Sequence, residues 1–175
     1  PLSIIKKLKY GAYNFHPGPP IRPGYASLEM AVYEGDEVYG TTLHEMDELV
    51  DTGKINNIHV FCVPKNTNAY DLYKLTSDSL FSLFNQTKED LLDEAPLIYC
   101  PIPWGNKKFT KADYLSYLRI SRDIGRGELE LRIRAFGFDF FNRLKLIERG
   151  NIYELEGGDR PEGYLDQSDF QVICG

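Results

Sequence analysis

Asn14-Phe15-His16-Pro17-Gly18-Pro19 is the stretch on which the reading of this chain turns. Tyr13 and Phe15, with the small Gly11 and Ala12 before them, predict a short buried strand over 11–16. Alternate side chains of a strand share a face, so Asn14 and His16 project to the same side. Pro17 cannot donate to a ladder and ends the strand. The loop from Gly18 to Gly24, with prolines at 19, 20 and 23, then carries the chain around the rim. Asp51, in Asp51-Thr52-Gly53, follows after enough chain for one helix and one returning strand, which can bring its carboxylate to the imidazole. An amide, an imidazole and a carboxylate gathered this way are compatible with handling a tetrahedral acyl-transfer intermediate. Imidazole titrates near neutrality and moves protons. An amide N–H meets a developing oxyanion, a donor worth on the order of 3 kcal/mol in acyl transfer. A carboxylate favours the imidazolium form.

Working outward, residues 2–9 predict a short helix with Ile4, Ile5 and Leu8 on one face, opened by Pro1. Residues 26–34 suit a helix burying Leu28, Ala31 and Val32 and closed by Gly35. Strands over 38–46 and 57–63 are expected to pair as an antiparallel hairpin, with the acidic 47–53 loop between them and Pro64 ending the second. A long amphipathic helix is expected from Asn68 to Asp93, with Asn68 as N-cap and Asp71 in its first turn. Leu72, Tyr73, Leu75, Leu80, Leu83, Phe84, Leu91 and Leu92 form its inward stripe, read as core rather than ligand site. Pro96, Pro101 and Pro103 mark an extended crossing segment. Thr110 caps a helix through Arg119 with Tyr114, Leu115 and Leu118 inward, and Glu128–Phe136 forms another. Leu144–Leu155 reads as a hairpin turning at Arg149-Gly150-Asn151, and Gly157-Gly158-Asp159-Arg160-Pro161 as a turn before an acidic tail.

The 175 residues, 42% apolar and 26% charged, suit one domain with a small appendage. A net charge of −6 gives no global field for nucleic acid. The tail sharpens this, since Glu154, Glu156, Asp159, Glu162, Asp166 and Asp169 face Arg160 alone. Cys62, Cys100 and Cys174 have no metal or redox spacing and are expected to be reduced and mostly buried, as in the cytosol. No metal-ligand pair, phosphate loop, membrane-length apolar run or signal peptide is visible. His59 sits mid-strand and reads as structural, and His44 as support for the strand or site wall.

The chain resembles the folate-dependent formyltransferases, the family of glycinamide ribonucleotide, methionyl-tRNA and amino-sugar formyltransferases. The resemblance rests on Asn-x-His-Pro-Gly-Pro at 14–19, the Gly40-Thr41-Thr42-Leu43-His44 strand, and Met46-Asp47-Glu48-Leu49-Val50-Asp51-Thr52-Gly53-Lys54-Ile55. These follow the family's order and spacing across residues 1–60; similarity beyond is faint. Gly18-Pro19-Pro20 stands where many relatives have Ser-Leu-Leu, which leaves the acceptor open.

The resemblance implies an α/β fold: residues 1–100 as the C-terminal part of a Rossmann-like formyltransferase sheet with the long helix, and 101–175 as a small α+β extension. The first strands of the sheet would lie upstream. It implies Asn14, His16 and Asp51 as catalytic residues, which outweighs the bland reading of His16 as a strand-end histidine bonding a carbonyl. It implies 10-formyltetrahydrofolate as formyl donor without a metal, the pterin being covered by the loop Met46, Asp47, Glu48, Leu49 and Val50. Arg22 and Tyr25 are candidates for acceptor contact. The acceptor would be a small amine, a nucleotide-linked amino sugar ahead of methionyl-tRNA, in a cytoplasmic enzyme. Two alternatives stay open: a hydrolase releasing formate, and a non-catalytic piece needing its upstream half. A homodimer through the C-terminal hairpin is also left open.

Overall fold

Val38–Glu45 (strand β2) organises the first half of the chain because it pairs on both sides. In the computed structural model, which describes residues 2–5, 7–93, 97–138, 144–148, 151–155 and 170–172, it lies between Tyr13–His16 (β1) and Ile55–Cys62 (β3). Both pairings are antiparallel, with Asn14 opposite His44 and His16 opposite Thr42. The expected hairpin is therefore present, with a register shift between Leu43 and His44. β1 is an outer strand of this three-stranded sheet.

Local chemistry sets the boundaries. A short first helix, Leu2–Ile5 (α1), leaves Ile4 and Leu8 exposed rather than packed on one buried face. The next, Ser27–Glu34 (α2), ends at Gly35, whose φ of 76° takes the left-handed turn glycine adopts without strain. Ala69–Leu92 (α3) starts at Asn68, whose side chain accepts from the Asp71 N–H at 2.9 Å. Lys111–Tyr117 (α4) opens on a Thr110–Asp113 capping box and stops two residues short of the expected end, where Arg119–Ser121 (β4) begins. Arg126–Phe136 (α5) follows. Lys145–Glu148 (β5), Asn151–Leu155 (β6) and Phe170–Val172 (β7) complete a second sheet, in the order β4-β5-β6-β7. Pairing of β5 with β6 matches the expected second hairpin. Pro1, Pro96, the Arg149-Gly150 turn, the 157–161 turn, most of the acidic tail and Cys174 lie outside the described residues.

The inward face of α3 differs from the expected aromatic stripe. Leu72, Thr76, Ser79, Leu83 and Thr87 are buried, whereas Tyr73, Phe84 and Leu92 are exposed. The hydroxyls are what make this face buriable. Thr76 and Thr87 donate to the carbonyls of Leu72 and Leu83, and Ser79 bonds Thr41 at 2.8 Å and His59 at 2.9 Å. His59 is structural, as expected. The cysteines are less buried than expected: Cys62 is exposed at a strand end, and Cys100 is half-buried with its thiol on the Asn56 carbonyl.

One core joins the two halves of the chain. Met30, Ala31, Val32, Tyr39 and Leu72 pack with Tyr114, Leu118, Ala135, Phe136 and Leu144. At its edge, the fully buried Tyr39 hydroxyl donates to the Pro17 carbonyl at 2.9 Å and pairs with Ser27 at 2.8 Å. Burial pushes this phenol's ionisation well up, so it stays a neutral donor. Tyr39→Phe strands the Pro17 carbonyl and is expected to cost on the order of 1–3 kcal/mol, read as a lowered urea midpoint.

Candidate active site

The three residues singled out from the sequence meet. Pairing of β1 with β2 puts Asn14 beside His44, and the Asn14 amide nitrogen lies 3.1 Å from His44 Nε2. A carbonyl only accepts, so His44 Nδ1, 2.7 Å from the Glu45 carbonyl, is the donor of that pair. With Nδ1 protonated, Nε2 accepts one Asn14 N–H, and the amide keeps a second N–H for another acceptor. The same logic sets the tautomer of His16. Its Nε2 lies 3.1 Å from the Arg22 carbonyl and donates to it, leaving Nδ1 to face Asp51 Oδ2 at 3.5 Å.

The turn explains how Asp51 gets there. Asp51 adopts φ 50°, a left-handed conformation unusual for a residue with a side chain but tolerated by aspartate. Gly53 then passes so close to β2 that a Cβ would lie 1.8 Å from the Glu45 carbonyl. Asp-x-Gly is thus a steric requirement of this hairpin turn. The carboxylate ends up 4% exposed, accepting the Gly24 N–H at 2.7 Å and reaching His44 Nε2 at 3.5 Å through its other oxygen.

These surroundings pull on both groups. Burial holds the His16 imidazolium below its ordinary range, and His44 adds to this; the Asp51 carboxylate and the Arg22 carbonyl act in the opposite direction without overcoming it. Burial works to raise Asp51, but the adjoining His44 ring, the Gly24 N–H and the His16 ring together leave its carboxyl below the usual range. The ring at 16 is therefore a neutral base near pH 7 with a carboxylate placed to steady it once protonated.

The other expected residues are placed as follows. Arg22 gives its guanidinium to Asp36 and Glu34, and its side chain is only 10% exposed. Its carbonyl, not its charge, is what meets His16. Tyr25 is exposed, with its ring edge-on to Tyr114 at 5.4 Å. Met46, Leu49 and Val50 are exposed on the 46–50 loop, a concentration of apolar surface on a polar turn. Two site residues were not given their part from sequence. His44 was read as wall support, and Trp104 was not singled out, although it is the single tryptophan of the chain and sits in Pro103-Trp104-Gly105. Its indole lies edge-on to His16 and His44. Among the described residues no group of three His, Cys, Asp or Glu is arranged to hold a metal.

No family model matches this chain. It is 32% identical over 96 residues to the methionyl-tRNA formyltransferase of Wolbachia sp. subsp. Drosophila simulans (strain wRi), covering 52% of this chain and 32% of that protein. It is 28% identical to the methionyl-tRNA formyltransferase of Lachnospira eligens, across the whole chain and 60% of that protein. Its fold is similar to that of a 4-N formyltransferase from Francisella tularensis, with a TM-score of 0.73, 22% identity, and coverage of 87% of this chain and 63% of that one. It is also similar to the N-formyltransferase from Helicobacter canadensis in complex with folinic acid and dTDP-3-aminofucose, with a TM-score of 0.63, 19% identity, and 93% and 65% coverage. The architecture is thus part of a Rossmann-like formyltransferase fold. The chain is thus similar in sequence and fold to formyltransferases, and it spans between a third and two thirds of the length of these proteins.

Two outcomes follow from the geometry. Asp51→Asn keeps the Gly24 bond but removes the charge that raises His16, so the His16 ring should titrate at still lower pH, measured by NMR of the imidazole carbons. Gly18→Ala should fold poorly around the site, because its Cβ would fall 2.6 Å from His16 Nε2 and 2.2 Å from Ser27 Oγ. The expected readout is a shifted His16 ring resonance together with a lowered Tm.

Proposed function

We propose that the protein carrying this chain is an N-formyltransferase that moves a formyl group from 10-formyltetrahydrofolate to a primary amine. The observation that carries the reading is the buried His16–Asp51 pair near the Asn14 amide, in which a carboxylate from the distant 46–54 turn is brought to two side chains of β1. The amine nitrogen attacks the formyl carbon, and the carbonyl electrons move to oxygen. The second Asn14 N–H donates to that oxyanion. The amine's proton passes to His16 Nδ1, directly or through a water, and Asp51 steadies the resulting imidazolium. Collapse expels the folate nitrogen, and the proton on His16 is returned to it, so the ring ends neutral.

Support for a folate donor comes from the Helicobacter relative in fold, which was crystallised with folinic acid, and from a complex of Aquifex aeolicus HypX with tetrahydrofolic acid. The exposed Met46, Leu49 and Val50 suit a loop that covers a flat aromatic ring. For the acceptor, a nucleotide-linked amino sugar is favoured by the dTDP-3-aminofucose in the Helicobacter complex. Methionyl-tRNA is the second reading, favoured by the curated relatives. A strongly acidic C-terminal segment opposes it, because phosphate backbones are bound through basic surface.

The test is product analysis by mass spectrometry with the intact natural protein, 10-formyltetrahydrofolate and each amine. Formylated amino sugar is the expected product, and His16→Ala or Asp51→Ala should reduce kcat by roughly 10²–10⁴-fold. Formate as sole product would assign a hydrolase. Retained turnover in both variants would overturn the residue roles.

A further inference from the structure

The segment from Leu97 to Gly105 is stitched into the site from both ends. The Cys100 N–H donates to the Ile55 carbonyl at 2.8 Å, and the Gly105 N–H to the Pro20 carbonyl at 2.8 Å. Gly105 approaches so closely that a Cβ there would sit 2.4 Å from the Ile21 carbonyl. Between these anchors, Trp104 Nε1 donates to the Gly53 carbonyl at 2.8 Å. Further on, the Lys108 ammonium reaches the Val50 carbonyl. The segment therefore ties the loop after β1 to the loop that carries Asp51.

The indole packs against both histidines, whose own ring centroids lie 6.5 Å apart. Its centroid is 5.7 Å from the His16 ring at 76° and 4.9 Å from the His44 ring at 87°. Edge-to-face contacts of this kind favour a fixed ring orientation. Trp104 does not belong to the hydrophobic cluster that holds the fold together, which draws on Tyr39, Leu72, Tyr114 and Phe136 instead. A large aromatic outside the core, bonded to the catalytic turn and packed on both imidazoles, has its contacts concentrated at the site.

We propose that Trp104 is a positioning residue: its indole holds the His16 ring facing Asp51 and fixes the Asp51 turn through the Gly53 carbonyl. The kinetic side of this proposal rests on the formyl-transfer reading; the structural side does not. The titratable groups facing His16 are Asp51 from the 46–54 turn and His44 from β2. Trp104 brings no charge, so its removal acts on His16 through hydration and through a loosened Asp51 contact, and burial, the larger of the two influences, sets the sign. Burial is what holds His16 low, and opening the indole's space to water relieves it.

The experiment compares Trp104→Ala and Trp104→Phe in the intact protein, by NMR titration of His16 and by formyl-transfer kinetics. In Trp104→Ala the His16 midpoint should rise toward the ordinary imidazole range, and kcat should fall about 10²-fold, the scale of a small misplacement of reacting groups, with acceptor KM little changed. Trp104→Phe keeps a ring against His16 but loses the Gly53 bond. Its midpoint should stay near the wild-type position while kcat falls by less. An Ala variant with an unmoved midpoint and full kcat overturns the proposal. If the Ala variant does not fold, Trp104→Phe decides, because full kcat without the Gly53 bond overturns the anchoring role. Wild-type protein without formyl transfer defeats the functional reading, and the titration arm still decides the part played by Trp104.

Discussion

The Asp51 carboxylate is the constraint on which the site depends. It is buried, and a buried carboxylate is tolerated only where donors surround it. Its neighbours come from separate parts of the chain: the Gly24 N–H, which donates to it, from the loop after β1, and the His16 and His44 rings, which it faces at 3.5 Å, from β1 and β2. Satisfying one charge therefore fixes the relative placement of two loops and two strands. The left-handed turn at Asp51 and the crowding at Gly53 are local costs of aiming that side chain inward. Below this layer the fold is ordinary packing. Tyr39 links the core to the site by holding the Pro17 carbonyl next to His16.

His16 is held by several independent restraints, each with a different chemical consequence. The Arg22 carbonyl chooses the tautomer. The position of that carbonyl is in turn secured by the Arg22 guanidinium, clamped on Asp36 and Glu34. Arg22 thus contributes to the site through its backbone, while its charge is spent on the α2 terminus and the turn beyond it. Gly18 adjoins the ring so closely that only a residue without a side chain leaves the ring its place. Asp51 offers a charge on the remaining nitrogen. Tautomer, orientation and charge are set by separate neighbours, which permits the ring to stay neutral while remaining ready for a proton.

How much of this was legible in the sequence depends on how local each determinant is. The first strand, expected over 11–16 and found at 13–16, the Gly35 stop and the Asn68 and Thr110 caps are decided within a few residues and are legible in the sequence. The approach of Asn14, His16 and Asp51 was legible only because the motif order resembles that of a known family; spacing alone shows compatibility. The buried face of α3 departs from the expected stripe because apolar content alone does not set burial there. Thr76, Ser79 and Thr87 instead go inward with their hydroxyls internally satisfied, and Tyr73 and Phe84 face out. Nothing in the α3 sequence reveals that Ser79 will meet Thr41 and His59, since those partners lie on other strands.

Trp104 shows the same limit from the opposite side. Its Pro-Trp-Gly setting predicts an extended, constrained segment, but not which carbonyl the indole will find. That partner is Gly53, one half of the Asp-x-Gly turn that aims the carboxylate. Gly53 is thus used twice: its missing side chain lets the turn close against Glu45, and its carbonyl receives the indole N–H. A turn stretched by a left-handed aspartate is braced from outside by a residue about fifty positions away. Strain at Asp51 and the brace at Trp104 belong together, because a carboxylate aimed by an unfavourable backbone conformation needs a second contact to keep it there.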